Sequence, residues 1–490
     1  MRPPIPVLSD YGISPAHGFL PDVLPATRLP DPYYNKWEAI ASNLQSLILS
    51  TRLRGVIDRL PVLSTTGLEH EAEWRRAYML LTFFAHGYIW GGNAPCDRVP
   101  PSISIPLLKI CDHLEIPPVS TYAASVLWNF KPLFMDESID DVDNLATLVT
   151  FTGSLDESWF YLVSVAIEAR GGPIITLMLA AVAAARKGDS ATVTRYLQAF
   201  AERLDDLGEL LRRMHENCDP GFFYRRIRTF LAGSKNMAEA GLPHGVMYDL
   251  GDGKSNYVQY SGPSNAQSSL IQFFDIILGI EHRPTGDKPH TQGSESEREG
   301  LSPPPKHNFI RDMRRYMPGP HARFLDEVSL VANIRDFVQE RRNTDRPLSL
   351  AYDACLAMLR TFRDIHIAIV TRYIVLPSRE NRARSRSRSP EAVRNRQNLA
   401  TASRNAKDKS VKGTGGTALI PFLKQARDET GEPAVEEWAR RFMSRQTKAS
   451  GQNDFFLGKA EQVPLDEPLV ENGLAGTWNM DEDVGGICNY

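Results

Sequence analysis

Cysteine is scarce: five residues in 490 (Cys96, Cys111, Cys218, Cys355 and Cys488), odd in number, widely spaced and without a CxxC pair. This argues against a disulfide framework and gives no structural zinc signature. No apolar run reaches the ~20 residues needed to cross a bilayer; the longest, Pro173–Ala185, has about thirteen. The opening MRPPIPVLSDYG is broken by prolines and lacks the apolar stretch of a secretory signal, so a reducing, cytoplasmic setting is expected. Excess charge is also lacking, since 56 Lys and Arg against 59 Asp and Glu leave −3. No global field therefore steers the chain to nucleic acid. Alternation at period two is nowhere long enough to require a sheet.

Hydrophobic residues make up 42% and charged residues 23%, enough apolar content for a large core or two to three packed units. Charge is segmental. Arg379–Lys412 holds eleven Lys and Arg against three acids and contains the run RARSRSRSP, whereas seven acids and no base follow Lys459. Residues about 283–306 and 378–412 are too polar to pack and are expected to be disordered loops.

Helical spacing fills much of the remainder. Phe151–Arg170 and a second apolar segment to about Lys187 are expected as two helices, separated by Gly171-Gly172-Pro173. Ala191–Met214 carries the stripe Leu204, Leu207, Leu210, Leu211, and Ala266–Ile280 and Leu348–Leu376 are the strongest core helices. The fold class is all-α. The expected division is a small N-terminal helical domain (1–150), a large helical domain (151–445) and an acidic, disordered tail (446–490).

One histidine stands out. At helical spacing His366 shares an apolar face with Cys355, Leu359, Phe362, Ile369, Val370 and Tyr373, with Arg363 a turn earlier. A buried imidazole needs hydrogen-bond partners or a metal, and pattern alone favours a satisfied core histidine. A neighbouring cation would suit haem, whose iron takes an imidazole and whose propionates take cations.

The segment His366-Ile-Ala-Ile-Val-Thr-Arg-Tyr-Ile-Val-Leu-Pro, preceded by Ala351-Tyr-Asp-Ala-Cys355, closely resembles the proximal-histidine helix of indoleamine 2,3-dioxygenases. Other blocks follow in the family's order: Phe84-Ala-His-Gly-Tyr-Ile-Trp-Gly-Gly92, Ile116-Pro-Pro with Tyr122, Trp159-Phe-Tyr-Leu-Val-Ser164, Ser261-Gly-Pro-Ser-Asn-Ala-Gln-Ser-Ser269, Arg311-Asp-Met-Arg-Arg-Tyr-Met-Pro318 and Gly413-Thr-Gly-Gly-Thr417. The resemblance runs from about Leu20 to Arg440. It implies a monomeric, two-domain helical protein whose large C-terminal domain binds haem b. It implies insertion of both atoms of O2 across the indole C2–C3 bond of L-tryptophan, giving N-formyl-L-kynurenine on the route towards NAD, with an electron donor keeping the iron ferrous.

Carried over residue by residue, the resemblance makes His366 the iron ligand and sets Ser264 and Arg363 beside the haem. Phe160 and Ser164 line the catalytic pocket, Phe223 packs on the indole and Arg228, rather than Arg225 or Arg226, binds the substrate carboxylate. Arginine suits that role through its planar fork. Tyr122, Ser264, Thr414 and Gly415 complete the substrate contacts, with Ser264 expected at the N-terminus of the helix that follows it. Glu168, a turn beyond Ser164, is expected to be salt-bridged rather than catalytic. The chain departs from the family's usual Gly-Gly-Ser-Ala at Pro263 and Asn265, which bears on substrate affinity. Gly413-Thr-Gly-Gly-Thr-Ala418 formally fits a dinucleotide fingerprint, but no strand precedes it; the resemblance implies a loop over the substrate.

Two other readings stand beside tryptophan cleavage. One is a haem protein acting as a sensor or on another indole with poor tryptophan turnover, motivated by Pro263 and Asn265. The other is an RNA-associated protein, motivated by the Arg/Ser run; that run lacks interleaved aromatics, so no nucleic-acid partner and no membrane are expected.

Overall fold

Helices dominate the computed structural model, which describes residues 3–284, 308–379, 413–414 and 418–443, with the backbone of strands Glu471–Gly473 and Gly476–Trp478. Nearly all of the two segments expected to be unstructured, and residues 415–417, fall outside the described residues. Met1–Arg441 forms one compact unit and Phe442–Tyr490 another. Within the second, expected as a structureless tail, the two strands pair antiparallel with Glu471 opposite Trp478.

Six helices of the first unit position the site: α1 (Glu71–Trp90), α2 (Leu155–Arg186), α3 (Ser190–Arg212), α4 (Ser269–Ile277), α5 (Arg346–Val370) and α6 (Leu419–Thr430). Four of the six, α2 to α5, are capped by a side chain at the N-terminus. Ser154 accepts the Glu157 N–H at 3.2 Å before α2, and Asp345 accepts the Leu348 N–H at 3.1 Å before α5. The leucine stripe of α3 is buried against α2 on one side and α5 on the other. The Cys355 thiol donates to the Leu197 carbonyl at 3.0 Å, and the Phe200 ring meets Phe274 of α4 at 5.1 Å. Each fully buried Leu, Ile or Phe in such a seam contributes roughly 1.5–3 kcal/mol of transfer free energy.

Gly171-Gly172-Pro173 does not interrupt α2, which runs unbroken for 32 residues. The glycines are needed for approach rather than for a break. A Cβ on Gly172 would lie 2.4 Å from the Gly18 nitrogen, and one on Gly171 would lie 2.4 Å from Leu270 Cδ2. Although α2 is long and apolar enough to cross a membrane, 72% of its most apolar window is buried inside the protein. Ala266–Ile280 likewise differs from expectation. A short 3-10 turn, Asn265–Gln267, comes first, and α4 begins at Ser269 under a Ser268 cap.

The strands of this unit are two or three residues long: Val246–Tyr248 pairs with Arg98–Val99 and Tyr257–Val258, and Phe130–Pro132 with Leu145–Thr147. Such stubs pin loops and leave the fold all-α.

Candidate active site

Two adjoining hollows share Tyr122, Ser164, Leu211, Asn265, His366 and Phe422, and so form one largely apolar cavity between α2, α5 and α6. Three widened helical turns border it, Ala123–Leu127, Phe223–Ile227 and Thr371–Val375, each closing an i→i+5 hydrogen bond. Such turns are rare in helices and recur at functional sites. In the second, the Arg228 N–H donates to the Phe223 carbonyl at 2.9 Å. The extra residue brings Phe223 and Arg228, five apart, to the same cavity, whereas Arg225 and Arg226 are exposed.

The apolar face of α5 brings His366 to the wall of both hollows. Its Nε2 lies 3.5 Å from Asn265 Nδ2, so this nitrogen faces the cavity. Burial, and then Arg363, push the imidazole pKa down to about 4, so the ring is neutral at neutral pH. Arg363 lines the same hollow and binds Asp275, with Nη2 at 2.6 and 2.7 Å from the two carboxylate oxygens; its Nη1 donates to Thr430 of α6. Asp275 in turn faces His282 at 3.0 Å, and His282 Nδ1 meets Glu429 at 2.7 Å. Sequence reasoning missed Asp275, although a lone acid inside the apolar run of α4 signals a buried partner.

The second hollow holds the aromatic and cationic residues. Phe160 and Phe223 approach with ring centroids 4.8 Å apart, and Phe223 meets Tyr373 edge-on at 5.8 Å. Tyr373 donates to the carbonyls of Met214 and Cys218, which anchors the end of the α5 segment. Arg228 is 2% exposed and lies 5.4 Å from the Tyr224 ring. Burial lowers its pKa to about 10, which leaves it charged at neutral pH.

The sequence blocks around these residues are largely structural. His86 accepts the Ser120 N–H at 3.1 Å, and its other ring nitrogen lies 2.7 Å from the Phe230 carbonyl. Trp90 donates to the Ala232 carbonyl, so α1 fixes the segment leaving Arg228. Gly233 and Gly262 cross at backbone contact: a Cβ on either would fall within 2.6 Å of the other's nitrogen. The Thr414 carbonyl accepts both glycine N–H groups at 3.4 and 3.3 Å, and its hydroxyl donates to the Pro263 carbonyl at 2.8 Å. Gly413 and Thr414 are thereby docked on the cavity rim. Gly415 lies outside the described residues.

Ser264 lines the cavity but caps only the 3-10 turn, so the expected helix N-terminus is displaced to Ser268 and Ser269. Glu168 also departs from expectation. It makes no ion pair among the described residues and instead accepts from Tyr122 and Ser268. No group of three or more His, Cys, Asp or Glu converges as a metal site among the described residues. A single neutral imidazole suits a metal carried by a prosthetic group.

Residues 7–433 match the family model described as indoleamine 2,3-dioxygenase. An indoleamine 2,3-dioxygenase of Saccharomyces cerevisiae is 43% identical over 439 residues, covering 87% of this chain and 93% of the relative. One from Penicillium citrinum is 40% identical over 88% of this chain and 89% of its own length. A Fusarium equiseti protein named 6-hydroxytryptophan 2,3-dioxygenase is 36% identical over 87% and 97%. With the cavity described above and matches spanning most of its length, the chain belongs to the indoleamine 2,3-dioxygenase family, haem-dependent dioxygenases that act on tryptophan and related indoles.

Proposed function

We propose that the chain binds haem b through His366 Nε2 and cleaves the indole C2–C3 bond of L-tryptophan with O2, giving N-formyl-L-kynurenine. The observation that carries this reading is the neutral His366 imidazole facing a cavity that also holds Phe223 and Arg228. The donor set fits the cofactor: an imidazole that needs no deprotonation, a cation a turn away for a propionate, and apolar walls. When bound, ferrous haem supplies activation of dioxygen.

The chain's own residues bind, orient and exclude water. Arg228 is buried and charged, and its guanidinium suits the substrate carboxylate. Phe160 and Phe223 offer aromatic faces to an indole ring, and Ser164 and Tyr122 add hydroxyls to the wall. Both oxygen atoms enter the product as carbonyl oxygens, so turnover needs no net external electrons. An electron donor serves only to hold the iron ferrous. Orientation within contact distance is worth several kcal/mol of barrier in such reactions.

Asn265 favours a second reading, in which a hydroxylated indole is the preferred substrate. Its carboxamide stands in the cavity wall, where it is able to hydrogen-bond a ring hydroxyl, and the Fusarium relative's name concerns such a substrate. A haem sensor with poor tryptophan turnover rests on the same residue. We further place the protein in the cytoplasm as a monomer, in keeping with four free cysteines among the described residues; formation of N-formylkynurenine is proposed as the first step towards NAD. Purified protein should show a haem Soret band and form N-formylkynurenine from L-tryptophan. A Soret band with turnover of 6-hydroxytryptophan alone would select the second reading, and haem without either product the sensor.

A further inference from the structure

Glu168 lies deep in α2, one turn beyond Ser164, and is 1% exposed. Two hydroxyls donate to the same oxygen, Oε1: Tyr122 at 3.1 Å and Ser268 at 2.6 Å. Its other oxygen, Oε2, is buried with no protein partner. Tyr122, Ser268 and Ser164 line the cavity beside His366, so Glu168 stands directly behind that wall. The groups facing it are Tyr122 from the turn before Ala123–Leu127 and Ser268 from the cap of α4, while Ser164 of α2 faces the Tyr122 hydroxyl. Tyr122 is the titratable member, and burial raises its phenol well above the ordinary value, so it remains a donor. No Lys, Arg or His among the described residues pairs with Glu168.

This arrangement fits a carboxylic acid better than a carboxylate. A carbonyl-like Oε1 accepts two hydrogen bonds while a hydroxyl-like Oε2 keeps the proton, and an ionised carboxyl buried without a cation is strongly disfavoured. We propose that Glu168 is a proton-holding positioning residue for the dioxygenase reaction: as a neutral acid it anchors the Tyr122 and Ser268 hydroxyls and keeps the cavity wall uncharged, and its ionisation turns that wall negative. The inference rests on the reading of the cavity as a haem site.

Burial raises the Glu168 pKa to about 7, against the opposing hydrogen bonds of Ser268 and Tyr122. The switch therefore falls near neutrality. A negative charge behind the wall stabilises ferric over ferrous iron and lowers the reduction potential. The active, uncharged wall prevails on the acid side, and kcat falls on the alkaline side while KM changes little.

The test compares the haem-loaded full chain with Glu168→Gln, which keeps the shape and an acceptor but cannot ionise, and with Glu168→Ala. Infrared spectra should show a protonated-carboxyl carbonyl band that fades between about pH 6 and pH 8 and is missing in Glu168→Gln. The ferric–ferrous midpoint potential should fall with pH over the same interval in the wild type and stay level in Glu168→Gln, whose kcat should lose its alkaline decline. Glu168→Ala, which removes the anchor, should lower kcat at every pH. An unchanged band and an unchanged pH dependence of the potential in Glu168→Gln would overturn the inference. A Soret measurement on the same samples separates the two readings: wild-type protein without haem refutes the haem site, whereas intact haem and activity with no effect of Glu168→Gln refutes this role alone.

Discussion

Arg363 holds Asp275 through one nitrogen, Nη2, set 2.6 and 2.7 Å from both carboxylate oxygens, one helical turn before His366. The pair ties α5 to α4, and His282 extends it to Glu429 of α6, so three walls of the cavity share one buried chain of charges. Burial opposes charge on His282, but Asp275 and Glu429 outweigh it and raise the imidazole pKa. Burial likewise opposes charge on the two acids, but Arg363 and His282 outweigh it to lower the pKa of Asp275, and His282, Gln425 and the Arg283 N–H outweigh it to lower that of Glu429. The raised histidine contributes stability that is full below its unfolded pKa, about 6.5, and is lost as pH rises through its folded value. The lowered acids contribute stability that is present above about pH 4 and is lost as pH falls through their folded values. Melting temperature should therefore fall on the alkaline side of about pH 6.5 in the wild type. His282→Gln should remove that slope and, by leaving two carboxylates facing each other, destabilise by about 3–5 kcal/mol. Equal alkaline slopes in both proteins would contradict the assignment.

His366→Ala should abolish the haem Soret band or leave a loosely held, inactive pigment. The lowered pKa adds a sharper expectation: haem affinity should hold steady down to about pH 4, where protonation of the ring begins to compete with the iron. Absorbance titrations of haem into the purified chain across that range are the check. A steep loss of affinity near pH 6.5 would mean an unperturbed imidazole.

Arg228→Ala should raise KM and reduce catalytic efficiency at least about tenfold, since a buried charge-assisted pair is worth roughly 1.5–3 kcal/mol. Haem content should be retained. Arg225→Ala and Arg226→Ala, at exposed positions of the same turn, should stay close to wild type. Steady-state kinetics with L-tryptophan on the three variants decide between them.

An apolar stripe at helical spacing singled out His366 as a polar intruder, but that pattern alone favoured a satisfied core histidine, and its reading as a ligand came from the family blocks. The family blocks led to Phe160, Ser164, Tyr122, Phe223, Arg228, Ser264 and Thr414, all of which line one cavity. Other features were hidden for physical reasons. Gly171-Gly172-Pro173 looks like a helix break, yet small residues there answer to Gly18 and Leu270, distant in sequence. The widened turn that brings Phe223 and Arg228 to the same cavity has no composition of its own; it depends on tertiary packing. Glu168 and Asp275 are both lone acids in apolar helices, and only the fold distinguishes hydroxyl partners from a guanidinium.

The crossing of Gly233 and Gly262 offers a test of how the rim is held. Each glycine leaves room for the other's backbone, and the Thr414 carbonyl takes both N–H groups. A Cβ on Gly233 would lie 2.3 Å from the Gly262 nitrogen and 2.3 Å from the Tyr260 carbonyl oxygen, both main-chain atoms with little freedom to yield. Gly233→Ala should therefore push the two crossing segments apart, detach Thr414 and cost about 1–3 kcal/mol of stability. It should raise KM more than it lowers haem content, because Thr414 lines the hollow with Arg228 while Arg363 lines the other. Thr414→Val, which keeps the carbonyl but loses the hydroxyl bond to Pro263, should show the same direction at a fraction of the size, about 0.5–1.5 kcal/mol for one hydrogen bond. Gly55→Ala is the control: its nearest neighbour is an arginine side-chain nitrogen at 3.6 Å, and helix propensity favours alanine there. Chemical denaturation and KM measured on the three variants should rank Gly233→Ala as most harmful, then Thr414→Val, with Gly55→Ala neutral or slightly stabilising. If Gly233→Ala instead matched the control in both measurements, the glycine crossing would not be what holds Thr414 at the rim.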